Sequence, residues 1–306
     1  MELQVFGHLS PDTDSTGSPI IWSWYLNEKK GLNASPKLLG EPNSEALFVL
    51  NRWGFEKPDL IQGINANDSV IIVDTNNPAE LPENINDADI QGIIDHHKLV
   101  GGLETSGPID ITIRPVACTA TIMYDLMGDD ASDMPDPIKG LALTCIISDT
   151  LEFRSPTTTR RDREVAERLA KDLKIDVSDY ASKLFRAKSD VSDFSDAQLL
   201  RMDSKKYPIA DLIFRVSVLE TTEPDIIFKR KRSLIETMET VCAEDSVDHV
   251  LFFVVDILKE ESTLFVPNKN VKKVAEKSFG VSVSDDSVLL PGVVSRKKQI
   301  IPNLKI

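Results

Sequence analysis

Apolar runs alternate with helical patterns along the first half of the chain. Some runs are apolar on both faces, which is typical of parallel strands covered by helices. These predicted strands lie at 3–6, 46–50, 69–73 and 90–94. Helical patterns are found at 19–26, 118–127, 137–148 and 159–173. The alternation predicts an α/β fold with a parallel sheet and right-handed crossovers.

A second α/β unit is predicted after a segment rich in Ser and Asp. Its elements are a strand at 208–219, a helix at about 223–243, strands at 250–257 and 263–266, a helix at 271–279 and a closing region at 288–301. We therefore predict two α/β domains joined by a linker or hinge at 190–196. The N-terminal domain (1–189) has a parallel sheet flanked by helices. The smaller C-terminal domain (197–306) has a mixed sheet.

Composition narrows the possible functions. The 306 residues include 49 acidic and 35 basic side chains, a net charge of −14, which argues against a nucleic-acid partner. The three Cys are too few for a disulfide framework and favour a reducing compartment. The most apolar stretch, 250–258, is too short to cross a membrane, and the N-terminus resembles no targeting signal. We expect a cytoplasmic protein without a membrane partner.

Three of the four His lie close to Asp residues at the ends of predicted strands. A further Asp ends the apolar helix at 137–148. The clustered residues are His8, Asp12, Asp14, Asp74, Asp95, His96, His97 and Asp149. Asp12 and Asp14 are two residues apart, so we expect both carboxylates to face one side of a locally extended stretch.

The carboxyl ends of parallel strands meet at one crevice, so these side chains are predicted to share a site. Alone, each Asp would be a helix cap or turn residue and each His a surface or core residue. Together, so many carboxylates need cations, and the number of ligands indicates two metal ions bridged by a carboxylate. Mixed Asp and His ligation favours Mn²⁺ or Co²⁺ over Mg²⁺ alone.

Basic residues form a second pattern, with Lys205 near the start of the second unit and Arg296 and Lys297 near the C-terminus. Arg and Lys in apolar surroundings suggest a site that binds phosphate. An edge strand protected by Lys is an equally good interpretation for Lys206 and Lys298. A dimetal site with such cations predicts hydrolysis of a phosphoanhydride or phosphodiester.

Several motifs resemble those of one known family. They are FGHLSPDTDS (6–15), the strand that ends in Asp74, IIDHH (93–97), ACTATI (117–122), ISDTLEFRSPT (147–157), SKK (204–206) and PGVVSRKKQ (291–299). Nearly end to end, the sequence is similar to the manganese-dependent, family II inorganic pyrophosphatases of the DHH phosphoesterase superfamily. The resemblance implies hydrolysis of pyrophosphate to two orthophosphates by a dimetal-bound water or hydroxide.

The resemblance also implies roles for individual residues. His8 and Asp12 would bind one metal ion, Asp14, His96 and Asp149 the second, and Asp74 would bridge the two. His97 would contact substrate near the leaving group, and Asp95 would orient His97 or His96. Lys205, Arg296 and Lys297 would hold the pyrophosphate. The family further implies two Mn²⁺ (or Co²⁺) per subunit, additional Mg²⁺ with the substrate, a hinge between the domains, and a homodimer formed through the N-terminal domain.

One position departs from the family pattern, because Thr75 stands where the family usually has His after the bridging Asp. Thr keeps a hydrogen bond but does not titrate near neutral pH. Another DHH-type enzyme, an exopolyphosphatase or a small-nucleotide phosphoesterase, is the main alternative. A catalytically silent metal-binding protein is a third hypothesis, and a single-strand nuclease is disfavoured because it needs aromatic residues and broad positive charge.

Overall fold

The structure is a computed structural model that describes residues 2–192, 194–209 and 212–305, without the side chains of Ile209, Lys297 and Lys298. The chain divides into two compact units, Met1–Ala187 and Lys188–Ile306. The predicted linker at 190–196 includes Asp193, which lies outside the described residues. None of the helices within the described ranges combines the length and hydrophobicity needed to span a bilayer.

A parallel sheet forms the centre of the first unit. Its strands are β1 (Leu3–Phe6), β2 (Ala34–Leu38), β3 (Asp59–Leu60), β4 (Ser69–Val73), β5 (Asp89–Asp95) and β6 (Asp110–Ile113). All of their pairings are parallel, in the order β3-β2-β1-β4-β5-β6. Along the chain, β2 and β3 are added on one side of β1, and β4, β5 and β6 are then added on its other side. The strand order therefore reverses between β1 and β4.

Six helices contribute to one apolar core on one face of this sheet. They are α1 (Thr13–Lys30), α2 (Ser44–Trp53), α3 (Thr119–Met127), α4 (Asp136–Thr150), α5 (Arg160–Leu173) and α6 (Val177–Lys188). Alternate strand residues divide between two cores, since Val5, Ile71 and Val73 pack with the helices. Phe6 and Ile72 instead pack with Leu81 and Ile85 from two short 3₁₀ segments on the other face. This period of two is that of a sheet buried on both faces.

The predicted strand at 46–50 is wrong, because this segment belongs to helix α2. Asn43 caps the helix by accepting a hydrogen bond from the Ala46 N–H, and Gly54 ends it with a left-handed backbone. Ala46, Val49 and Leu50 are buried, which is the spacing of one helix face. A short apolar run does not distinguish strand from helix by periodicity alone.

A mixed sheet forms the second unit. Its strands are β7 (Ser204–Ile209), β8 (Leu212–Thr221), β9 (His249–Asp256), β10 (Glu261–Phe265) and β11 (Ser287–Pro291), in the order β11-β10-β9-β8-β7. Only β8 and β9 run parallel among the described pairs. The helices are α7 (Asp196–Arg201), α8 (Pro224–Phe228), α9 (Lys231–Asp245) and α10 (Lys269–Phe279). The predicted fold class, a parallel N-terminal sheet and a mixed C-terminal sheet, is confirmed.

Two predictions for the second unit merged separate elements. The predicted strand at 208–219 combines the end of β7 with β8, which pair antiparallel, and it includes Ala210 and Asp211, which lie outside the described residues. The predicted helix at 223–243 is divided into α8 and α9. Pro208 and Ile209 give the first break no turn signal, and the basic run at 229–232 is compatible with a solvated helix face, so periodicity alone does not reveal either break.

Candidate metal centre

The loops that follow β1, β4 and β5 bring the clustered Asp and His residues together in the first unit. β1 and β4 are neighbours where the strand order reverses, and the loops after them diverge there. Such a reversal leaves a crevice at the carboxyl ends of the strands. His8 follows β1, Asp74 follows β4, and His96 and His97 follow β5.

The N-terminus of α1 positions Asp12 and Asp14. Asp12 is the N-cap and accepts a hydrogen bond from the Ser15 N–H at 3.0 Å. Asp14, in the first turn, accepts one from the Thr119 N–H at 2.7 Å and one from the Ser18 hydroxyl at 2.7 Å. The locally extended stretch predicted for Asp12 and Asp14 is wrong, because α1 begins at Thr13 and Asp14 lies in its first turn.

Gly7 allows the loop after β1 to approach this helix closely. The Ser15 hydroxyl accepts the His8 N–H at 2.8 Å, and a Cβ atom on residue 7 would lie 1.9 Å from the Ser15 Oγ. Any side chain at position 7 would therefore displace His8 or the start of α1.

Asp74 lies at the centre of the site and is 2 % exposed. Its carboxylate oxygens are 3.6 Å from His8 Nε2, 3.2 Å from His96 Nε2 and 3.9 Å from His97 Nδ1. Its backbone is left-handed, with φ of 59°, which is uncommon for a residue other than Gly. Burial, followed by the nearby carboxylates beginning with Asp14, raises the pKa of Asp74 well above its ordinary value.

Asp95 orients His97 in the segment after β5. Its Oδ1 accepts the backbone N–H groups of His96 and His97 at 2.7 and 3.0 Å and lies 2.9 Å from His97 Nδ1. The hydrogen bond that His97 donates to Asp95 raises the pKa of His97. Burial lowers the pKa of His96, which favours the neutral imidazole that binds metals. Burial raises the pKa of Asp95, but the bonds from His97 outweigh it and the net shift is downward.

Asp149 comes from the last turn of α4, where the chain reverses sharply. Leu151, Glu152 and Phe153 all have left-handed backbones, with φ of 48°, 54° and 67°. The turn is held by the Glu152 N–H on the Ile147 carbonyl at 3.0 Å, and the Arg163 guanidinium lies 4.4 Å from the centre of the Phe153 ring. Three successive strained residues directly after a candidate ligand indicate a backbone fixed by its surroundings.

Three overlapping groups of these side chains have ligand atoms within 4.8 Å of one another. They are His8-Asp12-Asp74, Asp14-His96-Asp149 and Asp74-His96-His97. We call their seven members the metal cluster. Four carboxylates converge in it, two of them buried, an arrangement that is unfavourable without cations. The set of carboxylate oxygens and imidazole nitrogens therefore fits first-row divalent ions such as Mn²⁺.

A cavity of 350 Å³ opens beside this cluster. It is lined by His8, Leu9, Ser10, Ala79, Glu80 and His97. The His97 side chain is 53 % exposed, whereas His8 and His96 are mostly covered. His97 is therefore the imidazole most accessible to a molecule entering from solvent.

One of the predicted phosphate-binding residues of the second unit, Arg296, forms an ion pair. Arg296 begins a five-residue π-helical turn (Arg296–Ile300), and its Nη2 lies 2.8 Å from Asp203 Oδ1. Its Nη1 donates to the Asp203 carbonyl, and Lys205 follows two residues later as an exposed residue of β7. We call Lys205 and Arg296 the basic cluster. The side chain of Lys297 lies outside the described residues.

Comparison with known proteins finds two family models that together match most of the chain. The DHH family N-terminal domain matches residues 2–148, and the DHHA2 domain matches 182–305. A Lactobacillus acidophilus protein named "Probable manganese-dependent inorganic pyrophosphatase" is 35 % identical over 98 % of this chain and 96 % of its own length. A Deinococcus radiodurans protein of the same name is 38 % identical, over 99 % and 98 %. The chain belongs to the manganese-dependent inorganic pyrophosphatase family.

The fold agrees with this membership. A Methanococcus jannaschii crystal structure assigned to the family II inorganic pyrophosphatases matches with a TM-score of 0.64 and 33 % identity, covering 98 % of this chain and 97 % of that one. The resemblance stated from the motifs, to family II pyrophosphatases of the DHH superfamily, is confirmed.

Thr75, which departs from the pattern of the manganese-dependent pyrophosphatases, is held by hydrogen bonds in the structure. Its hydroxyl donates to Glu80 Oε2 at 2.8 Å and accepts the Asn77 N–H at 3.1 Å, and the residue is buried. Leu9 in turn donates its N–H to the Glu80 carbonyl at 2.9 Å. Thr75 therefore helps to hold the segment after Asp74 against the segment after His8.

Asn76 is a structural residue that sequence reasoning did not single out. It donates to Asp95 Oδ2 and to the Lys98 carbonyl at 3.0 Å, and its own oxygen accepts the Val100 N–H at 2.8 Å. A buried Asn after a strand resembles an ordinary turn residue, so no local pattern identifies it. Thr119 is a second such residue, because its N–H donates to Asp14 and its hydroxyl to Asp74 from the first position of α3, directly after the Cys118 N-cap.

Proposed function

We propose that the chain hydrolyses inorganic pyrophosphate to two orthophosphates, with two divalent metal ions in the metal cluster. The observation that supports this most strongly is the sharing of Asp74 between two of the ligand groups. A carboxylate common to two groups suits a pair of ions that act on one substrate. The manganese dependence in the names of the relatives favours Mn²⁺, with Co²⁺ as a possible substitute.

The proposed ligand roles follow two of the groups, and the third group, Asp74-His96-His97, joins Asp74 to a ligand of the second ion. We propose that His8 and Asp12 hold one ion, that Asp14, His96 and Asp149 hold the other, and that Asp74 bridges them. When bound, the two ions would lower the pKa of water and neutralise phosphate charge. Asp95 keeps the His97 ring in place through the bond to Nδ1, which leaves Nε2 available to the substrate.

The substrate itself is proposed to be bound by His97, Lys205, Arg296 and Lys297. Arg296 presents a planar group of N–H donors that matches phosphate, and Lys205 adds an exposed positive charge on β7. We propose that additional Mg²⁺ enters with the pyrophosphate, since Mg²⁺ is usually bound through one or two carboxylates together with substrate phosphates. The segment 190–196 is the proposed hinge.

We propose a homodimer formed through the N-terminal unit. β6 is an outer strand of the parallel sheet, and its Ile111 side chain is 55 % exposed. A 470 Å³ depression beside it is lined mainly by apolar residues such as Trp22 and Leu126, with Lys30, Gln91 and Asp110 among its polar residues. An apolar edge of this kind favours association with a second copy. We also propose a cytoplasmic location, on the Cys content and negative charge.

The activity is tested by phosphate release from pyrophosphate after loading with Mn²⁺, with Co²⁺ and Mg²⁺ in parallel. Tripolyphosphate and a cyclic dinucleotide serve as competing substrates. We expect rapid release from pyrophosphate with Mn²⁺, slower release from tripolyphosphate and none from the dinucleotide. Metal-loaded protein that releases no phosphate from pyrophosphate would contradict the proposal, and preferential cleavage of a longer substrate would reassign it within the superfamily.

A further inference from the structure

A buried glutamate outside the metal cluster joins the two segments that supply one of its ligand groups. Glu45, in the first turn of α2, is 1 % exposed. Its Oε1 accepts a hydrogen bond from the Thr13 hydroxyl at 2.6 Å and another from the Ser148 hydroxyl. Thr13 directly precedes Asp14, and Ser148 directly precedes Asp149. One carboxylate oxygen therefore joins the start of α1 to the end of α4.

The helix that carries Glu45 is attached to the loop that supplies another ligand. The backbone N–H of Asn43, the N-cap of α2, donates to the Pro11 carbonyl at 3.2 Å, and Pro11 directly precedes Asp12. Asn43 also caps α2 through the Ala46 N–H at 2.8 Å. The position of Glu45 is thus set relative to the loop of Asp12.

We infer that Glu45 is a positioning residue that fixes the distance between Asp14 and Asp149, and so sets the affinity of the ion held by Asp14, His96 and Asp149. This inference rests on the proposed function. In the described residues, Glu45 belongs to none of the three ligand groups, so it acts through the backbone of its two partners. Residues that orient metal ligands in this way commonly change affinity by about 10- to 100-fold when replaced.

The arrangement has a physical reason. Asp14 and Asp149 come from helices far apart in sequence, and their carboxylates repel each other until a cation lies between them. Hydroxyl donors on a carboxylate make short, strong bonds, particularly where water is excluded. Because both hydroxyls share one acceptor atom, a shift of either helix end is passed directly to the other.

The test compares Glu45→Ala and Glu45→Gln with Val49→Ala, a buried truncation on the same helix that removes no hydrogen-bonding group. Free Mn²⁺ is measured by electron paramagnetic resonance during titration of each metal-free protein, and the data are fitted to two sites. We expect Glu45→Ala to weaken one site by about tenfold or more and the other by less than about threefold. Glu45→Gln, which keeps an acceptor oxygen, should lie between Glu45→Ala and the native chain.

Val49→Ala should lower thermal stability while both Mn²⁺ affinities stay within about threefold of native. If Glu45→Ala does not fold, Glu45→Gln together with Ser148→Ala decides the question, because each should weaken the same single site. Unchanged affinities, or equal weakening of both sites, would overturn the inference. Native protein that binds two Mn²⁺ but releases no phosphate from pyrophosphate would contradict only the proposed activity, and native protein that binds fewer than two would contradict both.

Discussion

In the first unit the carboxylates of the metal cluster converge on one another and are fixed by backbone and hydroxyl donors. In the second unit the guanidinium of Arg296, in the basic cluster, is already paired with a carboxylate. Asp14 has two short hydrogen bonds from α1 and α3, yet the metal cluster as a whole carries excess negative charge. Arg296 instead shares its charge with Asp203, whose side chain is 61 % exposed.

This difference indicates how each region depends on its ligand. A group of half-buried and buried carboxylates needs cations to be stable, so metal binding and local structure are coupled. The Arg296–Asp203 pair joins a largely covered guanidinium side chain, 11 % exposed, to an exposed carboxylate, so we expect this carboxylate to be replaceable by another anion. We therefore expect changes in the metal cluster to alter metal content and activity together, and changes in the basic cluster to alter only the use of substrate.

The largest effect is expected for Asp74→Asn. The amide keeps the size of the side chain but cannot act as an anionic ligand common to two groups. Several kcal/mol of charge stabilisation would be lost, or about 10³-fold or more in kcat. Phosphate release and bound Mn²⁺ per subunit are the measurements. Since Asn removes one buried negative charge, the metal-free variant should melt no lower than native, and activity within tenfold of native would contradict the role of Asp74.

Arg296→Ala should lower kcat/KM for pyrophosphate by about 100-fold while Mn²⁺ affinity stays at the native value. Arg296 belongs to none of the ligand groups, so its loss removes a phosphate contact and leaves the ions in place. Lys206→Ala is the matched control, because the Lys206 ammonium donates to the Asp245 carbonyl. A large fall in Mn²⁺ affinity in Arg296→Ala would contradict the assignment of metal binding to the first unit and substrate binding to Arg296.

Asp203→Gly tests whether the ion pair orients Arg296. Asp203 has a left-handed backbone with φ of 37°, so Gly removes the carboxylate without adding backbone strain. We expect kcat/KM to fall about tenfold, equivalent to one hydrogen bond to a charged group. Asp203→Asn keeps an acceptor and should stay within about threefold of native. A rise in kcat/KM in Asp203→Gly would show instead that Asp203 competes with the substrate for Arg296.

Thr75→Val is expected to have the smallest effect on activity. It removes the hydroxyl between Glu80 and the Asn77 N–H, which should lower the free energy of unfolding by about 1 to 2 kcal/mol in urea denaturation. Activity should change by less than about threefold, because Thr75 touches none of the proposed ligands in these contacts. Thr75→Ser keeps the hydroxyl and serves as the control. A tenfold loss of activity in Thr75→Val alone would place Thr75 in the reaction machinery.

Much of the metal cluster could be predicted, because the ends of apolar strands are easy to find in the sequence and the carboxyl ends of parallel strands lie on the same side of a sheet. His8, Asp74 and His96 each follow a strand whose apolar run is clear in the sequence. The short strand β2 contains Pro and Lys, and β6 has only four residues, so neither gives a clear strand signal. These strands do not supply ligands, and the site could be assembled without them.

Glu45 could not be predicted for a different reason. Its partners lie 32 and 103 residues away, and the segment beside it was predicted as a strand rather than as α2. No local pattern connects an acidic residue at a helix start with hydroxyls in two other helices. Contacts of this kind depend on tertiary packing, which periodicity and motifs do not contain.

The left-handed residues after Asp149 have a consequence for protein engineering. Glycine normally destabilises a fold by about 0.4 to 1 kcal/mol, because it loses more conformational entropy than other residues on folding. At Leu151, Glu152 and Phe153, however, an L-residue in the left-handed region costs about 1 to 2 kcal/mol. Gly at these positions could therefore stabilise the protein by removing backbone strain, but the change would lie directly beside Asp149. We therefore expect substitutions that raise thermal stability at these three residues to disturb the position of Asp149.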